Sequence, residues 1–544
     1  MKTCAEISRR DLLRRSALGA AALSVTAPLV RPRPVSAQGK RGGILRVRGY
    51  DPPHFDPHLT LNFKMSTTVS FVYNKLVRFR PGPGVAPGVF NLEPDLAERW
   101  EQPDDTTYVF FLRKGVRWHN AAPVNGRELV AEDVKFTLDR FLGEKANPHR
   151  YLLDTVDRVE VVDRYTVRVR LKEPLVWLVH MLASPWAAWI VARECVEKYG
   201  DLKKPEAAIG TGPFALVRYE PNVKTVFRRN PDYFRAPLPW VDGVEWLALD
   251  DDAAGLASYL TKQIDAGPFH WWAVRQSDVE PVKKNHPQLQ YQDFLSTVNT
   301  LIYMRTDKPP FNDVRVRRAI SHAVDRQAII DAVLVKGEPT PAVTRGLPEW
   351  SLRIDQLGPG SQYYRHDPKE ARRLLAEAGF PHGLKTQLST TSGLGPDLVD
   401  AVQLVQRQLK ESGIETEMKV QEFGAYASTT LVGKFEGMAM APLGIAWEPH
   451  TPLYGLYMPE QPRNAGHVSD PKMLGMLKEQ MRTKDVEARR KIIHAIQRHA
   501  AEQQYYVYLY NTGITGSWQP YVKNYMPSPI FDYGNRAAAL WLER

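Results

Sequence analysis

Between Phe294 and Gly337 the chain reads FLSTVNTLIYMRTDKPPFNDVRVRRAISHAVDRQAIIDAVLVKG, and this stretch constrains the fold more than any other. Leu295 to Met304 is an apolar run rich in β-formers (Val298, Thr300, Ile302, Tyr303), which predicts a strand. Pro309 and Pro310 then end it, because neither has the amide hydrogen that a ladder needs. Asn312 or Asp313 caps a helix whose apolar positions Val316, Ile320 and Ala323 recur at helical spacing. Asp325 caps a second short helix running to Leu334, with Gly337 just past its end. A strand leaving one body and two helices opening another make this a crossing point between lobes. A chain of 544 residues is long enough for more than one.

Downstream, Asp367 caps a helix with Pro368 at its first position and Glu370 completing a capping box; Gly379 ends it. Leu384 to Ser389 reads as a strand, Leu398 to Glu411 as a helix ended by Gly413, and Ile414 to Glu422 as a strand. This βαβ unit implies a partly parallel sheet after the crossing. Upstream, Gly43 to Gly49 alternates as a strand, Asp51 to His58 is a Pro-rich loop, and Thr67 to Phe79 is read as a helix. Thr107 to Leu112 is a strand, Ala131 to Phe141 a helix, and Val156 to Val162 with Thr166 to Leu171 a hairpin about Asp163-Arg164.

The N-terminus carries Ser8-Arg9-Arg10-Asp11-Leu12-Leu13-Arg14, a twin-arginine pattern, before a short and only moderately apolar segment, Ala17 to Val30. Val35-Ser36-Ala37 offers small residues for cleavage, so residues 1–37 read as a twin-arginine export signal rather than a membrane span. No cysteine sits where a lipid anchor would attach. Cys4 falls in the leader, which leaves Cys195 alone and no disulfide expected in the mature chain. The expectation is a soluble protein outside the cytoplasm, periplasmic in a Gram-negative source. Net charge is +11, but seven Lys/Arg and two Asp/Glu lie in the leader, leaving 65 basic and 59 acidic residues beyond it. No basic cluster interleaved with aromatics marks a nucleic-acid interface.

Pro94-Asp95-Leu96-Ala97-Glu98-Arg99-Trp100, Leu112-Arg113-Lys114-Gly115-Val116-Arg117-Trp118-His119 and Ala131-Glu132-Asp133-Val134 closely resemble the extracytoplasmic solute-binding proteins of the peptide/nickel class. These serve ABC importers and include the oligopeptide- and dipeptide-binding proteins. Gly210-Thr211-Gly212-Pro213-Phe214 with Arg229-Asn230-Pro231-Asp232-Tyr233-Phe234, the stretch Pro310 to Arg326, and His366 to Gly379 continue the resemblance in order. It implies an α/β, two-lobed periplasmic binding protein fold, with mixed sheets flanked by helices, an extra subdomain in the first lobe and a hinge between lobes. On that pattern 38–80, 206–300 and 506–544 form the first lobe, 81–205 its inserted subdomain, and 301–505 the second lobe. The hinge falls where the chain crosses, at Leu295 to Met304 and Tyr506 to Thr515. The implied function is capture of a peptide or similar small solute by a monomer, with delivery to an ABC permease in the inner membrane.

No Walker loop, nucleophile elbow or zinc helix is present, and no cofactor signature. Gly210-Thr211-Gly212 is followed by Pro213 and reads as a turn, not a dinucleotide loop. His54 and His58 are four apart across Pro57, so metal-ligand spacing is not established; His54 stays a cleft candidate. In His270-Trp271-Trp272 adjacent indoles cannot share one face, so one of Trp271 and Trp272 contacts a ligand or both pad the lobe interface. Gly444 to Tyr457, followed by Arg463-Asn464, is the other candidate. The resemblance places Ile445 where peptide-binding relatives hold the ligand's amino group with an Asp. Either Glu448 takes over that role or the ligand lacks a cationic end. Trp447 stacks on a ligand or packs in the core; Arg463 grips a carboxylate or is solvated. The rival classes are a secreted hydrolase and a chaperone-like binder of unfolded segments.

Overall fold

Mixed β-sheets carry the fold, and the computed structural model describes residues 39–59, 63–80, 82, 84–266 and 276–544. The expected leader and His270-Trp271-Trp272 lie outside these residues. A four-stranded sheet runs in the order Ile44–Gly49, Gly243–Ala248, Lys224–Arg229, Phe214–Glu220. A six-stranded sheet runs Gly337–Pro339, Tyr506–Trp518, Gln290–Met304, Met438–Pro442, Leu384–Thr391, Ile414–Gln421. Ala266 bridges both, lying parallel to Val47 and antiparallel to Trp518. A separate antiparallel sheet of four strands, Ala97–Asp104, Thr107–Leu112, Thr166–Leu171 and Val156–Asp163, contains the predicted hairpin.

The predicted crossing strand is longer than expected. Gln290–Met304 pairs antiparallel with Tyr506–Trp518 from Gln290↔Trp518 to Tyr303↔Tyr506, and the ladder is interrupted between Leu295 and Asn299. At the interruption two buried amides take the place of ladder bonds. Asn511 donates to the Val298 carbonyl at 2.6 Å and to Asn299 Oδ1 at 2.9 Å, and Asn299 Nδ2 donates to the Pro341 carbonyl at 3.1 Å. Buried polar groups are stable only when paired, so this knot specifies one arrangement of the crossing.

The βαβ unit is present: Leu384–Thr391 lies parallel to Ile414–Gln421, with helix Pro396–Glu411 between them in the chain burying Leu398, Ala401, Val402, Val405 and Leu409. Caps sit where side-chain chemistry predicts. Asp313 accepts from the Arg315 amide at 2.8 Å, Asp325 from Ala328 at 3.0 Å, and Asp367 from Glu370 at 3.0 Å. The capping box does not form. The Asp367 amide already donates to the His322 carbonyl at 2.8 Å, and the Glu370 carboxylate pairs with Arg373 instead.

Two other expectations are corrected. The helix expected over Thr67 to Phe79 is confined to Phe63–Val69, and Val77–Phe79 is a strand. The carbonyls of Phe71 and Val72 accept from the amides of Phe214 and Gly212, at 3.1 and 2.7 Å, which takes them out of any helical ladder. That approach is what the Gly-Thr-Gly turn permits: a Cβ on Gly210 or Gly212 would lie 2.0 or 2.4 Å from the Val72 oxygen. The helix after Asp325 runs to Leu334 as expected, through Arg326–Ile329 and Ile330–Leu334, but Val335 (φ +63°) closes it and Gly337 opens the strand Gly337–Pro339.

Cys195 is a free, buried thiol that burial pushes up to about 12. Among the described residues no helix is long and apolar enough to cross a membrane, and no group of three or more His, Cys, Asp or Glu could hold a metal.

Candidate functional site

The strand Met438–Pro442 lies in the interior of the six-stranded sheet, and the loop leaving its end carries Trp447 and Glu448. That loop follows the crossing strand where its ladder is interrupted: the Leu443 amide donates to the Asn299 carbonyl at 2.7 Å and Ala446 to Thr297 at 3.4 Å. Helix His450–Tyr457 comes next. Crossing-strand phenols hold it in place, Tyr508 with the Tyr457 hydroxyl at 3.0 Å and Tyr506 donating to the Leu456 carbonyl at 2.9 Å.

Trp447 is 6% exposed and stands where three distant segments meet. Its ring centroid is 6.2 Å from Trp186 and 6.3 Å from Phe531, with Trp186 and Phe531 5.9 Å apart. Phe63 lies against Phe531 at 5.9 Å, and His149 against Trp186 at 4.6 Å. The Trp447 indole nitrogen is buried without a hydrogen-bond partner, as is the Thr297 hydroxyl. A buried indole N–H normally finds an acceptor, and this donor has none within the aromatic cluster, a feature Trp447 shares with Trp118 and Trp240.

Glu448 is buried and its carboxylate turns back on its own chain. It accepts from the Thr451 amide at 3.0 and 3.1 Å and, in a shorter bond, from the His450 amide. It therefore caps helix His450–Tyr457, where the exposed amides of a first helical turn favour a carboxylate. Among the described residues no cation pairs with it, and burial pushes the carboxyl up to about 7. Asn464 is likewise occupied: its amide donates to the carbonyls of Met458 and Val468, at 3.3 and 2.9 Å, and its oxygen accepts from the Val468 amide and the Tyr506 hydroxyl. Arg463 is exposed, with its guanidinium 5.5 Å over the ring of Tyr151 and no ion pair among the described residues.

His54 is placed elsewhere, in the loop where its Nδ1 accepts from the Asp56 amide at 3.2 Å; burial lowers its pKa. Its neighbour in sequence, His58, is fully enclosed, accepting from Arg140 at 2.7 Å and donating to the Trp189 carbonyl at 3.0 Å. Burial pushes His58 down to about 3. These bonds leave the pair no geometry for a metal.

Trp447, Glu448, Arg463 and Asn464 thus lie on one loop-and-helix segment, and the side facing it comes from parts of the chain that the sequence reading left unmarked. Trp177 donates through Nε1 to Gln480 Oε1 at 2.6 Å, and Gln480 Nε2 donates to His450 Nδ1 at 2.8 Å. The Val176 amide donates to the Met481 carbonyl at 2.8 Å. Beside this contact a small open pocket has Tyr151, Asp154 and Thr155 on one side and Thr451, Tyr454 and Gln461 on the other. The missed signals are Trp186 in Ser184-Pro185-Trp186 and Phe531 in Ile530-Phe531-Asp532, aromatics that by pattern alone read as core.

With this geometry in hand, comparison with known proteins is informative. The family model for bacterial extracellular solute-binding proteins, family 5 (middle part) matches residues 91–464. The di/tripeptide-binding protein 1 of Pseudomonas aeruginosa (strain UCBPP-PA14) is 30% identical over 436 residues, covering 75% of this chain and 76% of the relative. A glutathione-binding protein of Salmonella choleraesuis (strain SC-B67) is 30% identical over 351 residues, covering 63% of this chain and 64% of that one. Among solved structures, the ABC transporter-associated periplasmic binding protein DppA from Helicobacter pylori, in complex with the peptide STSA, superposes with a TM-score of 0.75 at 24% identity. The match covers 93% of this chain and 99% of that one, and it shows the two-lobed α/β fold.

Proposed function

This chain belongs to the bacterial extracellular solute-binding proteins of family 5, and from that premise we propose that it captures a short peptide or a similar small solute between its two lobes and delivers it to an ABC permease. The observation that carries this is the buried, unpartnered indole nitrogen of Trp447 in a cluster assembled from three chain segments. Stacking surface with one convergent donor suits a small solute with an apolar body and a polar group. The relatives named above bind di- and tripeptides and glutathione, ligands of the size such a site takes.

We take the lobes as 38–80, 206–300 and 506–544 with the insert 81–205, against 301–505. Closure pivots on the two crossings, Leu295 to Met304 and Tyr506 to Thr515, and the interrupted ladder between Leu295 and Asn299 supports this placement of the hinge. A ligand touching both lobes favours the closed state by its differential contacts. The twin-arginine leader over 1–37 carries the chain out of the cytoplasm, where it acts as a monomer. Glu448 shapes the loop by capping its helix, and Arg463 offers a cation at its edge.

Native mass spectrometry of freshly purified protein tests the reading. A stoichiometric small-molecule adduct that dissociates on mild activation is expected. A protein that shows no adduct, and that in calorimetry takes up no di- or tripeptide, would defeat it.

A further inference from the structure

The pocket beside the aromatic cluster has a chemistry of its own. Asp154 lies on its wall, and burial raises its carboxyl above the ordinary range. No ion pair answers that charge among the described residues, since Lys172 turns its ammonium onto the Asp154 backbone carbonyl at 2.6 Å. Next to it, Thr155 is 7% exposed, yet its hydroxyl has no hydrogen-bond partner. The opposite wall adds Tyr454, which burial, together with the charges of Asp154, Glu173 and Glu460, pushes up to about 12. One carboxylate, an unpartnered hydroxyl and two phenol rings line one cavity, with Glu173 and Glu460 acting on Tyr454 from outside it, and together they attract a cation and offer it acceptors. The nearby Arg463 lies over Tyr151, while Lys172, the Thr155 amide and the Gln461 side chain favour the charged form of the Asp154 carboxyl without an ion pair to it among the described residues. In the loop opposite, the Glu448 carboxylate is bonded to helix amides and leaves no free acceptor of its own for a cation.

We propose that Asp154 and Thr155 form the receptor for the ammonium end of the captured solute, so that the charge anchor of this chain lies on the wall formed by 151–155. Asp154 supplies the counter-charge and the Thr155 oxygen accepts a second N–H. The ligand class is a short peptide or amino-acid-derived solute with a free ammonium group. The assignment rests on the solute being taken up between the lobes as proposed above.

The probes are phenethylammonium chloride and neutral 2-phenylethanol, titrated calorimetrically into the full chain and into Asp154→Asn and Thr155→Val. The expected result is that the wild type prefers the ammonium by about tenfold or more, that Asp154→Asn abolishes the preference, and that Thr155→Val weakens ammonium binding several-fold. Unfolding temperatures measured alongside show whether each variant is folded; if Asp154→Asn is not, Thr155→Val decides. Equal affinity for the two probes, no measurable binding, or variants that bind like the wild type would overturn the assignment. A retained native solute without a basic nitrogen would also overturn it while leaving the solute-binding reading intact. A protein that holds the ammonium through Asp154 but takes up no solute would defeat that reading alone.

Discussion

Glu448 shows how one side chain can be recognisable in sequence and still have another task. A carboxylate beside Trp447 is a natural anchor, but the residues that follow form a helix whose first amides need an acceptor, and Glu448 is the acceptor within reach. Its pKa has a measurable consequence. The folded carboxyl titrates at about 7 against 4.5 in the unfolded chain, so the folded state binds more protons between those values. Stability is therefore full below pH 4.5 and declines as pH rises towards 7, by on the order of 3 kcal/mol for this group alone. Urea unfolding at pH 5 and pH 8 should show that decline, and Glu448→Gln should flatten it; an equal pH slope in the variant would show that the carboxylate is not the source. Asn464 was similarly visible as a polar residue near the cleft, and its bonds make it a brace for the loop 458–468. Asp154, Trp186 and Phe531 were not visible, because each acquires meaning only from a partner far away in the chain. An aromatic on a wall and an aromatic in a core look alike until the facing residue is known.

At the level of elements the sequence was most informative where a local rule decides. Asp313, Asp325 and Asp367 cap as their chemistry demands, and the βαβ unit follows from two apolar strands around an amphipathic helix. Asp367→Ala should reduce stability by about 1 kcal/mol, read as a shifted urea midpoint with an unchanged slope. The sequence misled where tertiary contacts override local preference. Thr67 to Phe79 has helical spacing, but the backbone of Phe71 and Val72 is bonded by residues near Gly212. Gly212→Ala should accordingly destabilise by about 2 kcal/mol or more, since its Cβ would overlap the Val72 carbonyl. A wild-type midpoint for that variant would contradict the close approach. Gln480 links Trp177 and His450, which lie on distant parts of the chain. Gln480→Leu would leave Trp177 Nε1 and His450 Nδ1 without their partner inside a buried contact, a loss of about 2–4 kcal/mol by chemical denaturation.

For the molecule as a whole, the arrangement described has its walls in contact. Val176 is bonded to Met481, Trp177 to Gln480, and Lys484 pairs with Asp105 at 2.7 Å. On the proposed binding role a solute enters when such contacts part, with the interrupted crossing as the proposed hinge. Small-angle scattering should report a larger radius of gyration for protein freed of ligand by unfolding and refolding than for the freshly purified form. Identical radii would argue against hinge closure. Which residues face one another across this contact could not be anticipated, because partners such as Trp177 and Gln480 lie hundreds of positions apart in the chain.

The lone thiol at Cys195 has a consequence for the route this protein takes. It is enclosed and held far above neutral pH, so it neither attacks a disulfide nor offers a thiolate to copper or zinc. Among the described residues no disulfide is present. On the proposed twin-arginine route, folding can be completed in a reducing cytoplasm, and the finished molecule meets an oxidising exterior with no bond left to form, so it needs neither an oxidase nor an isomerase at its destination.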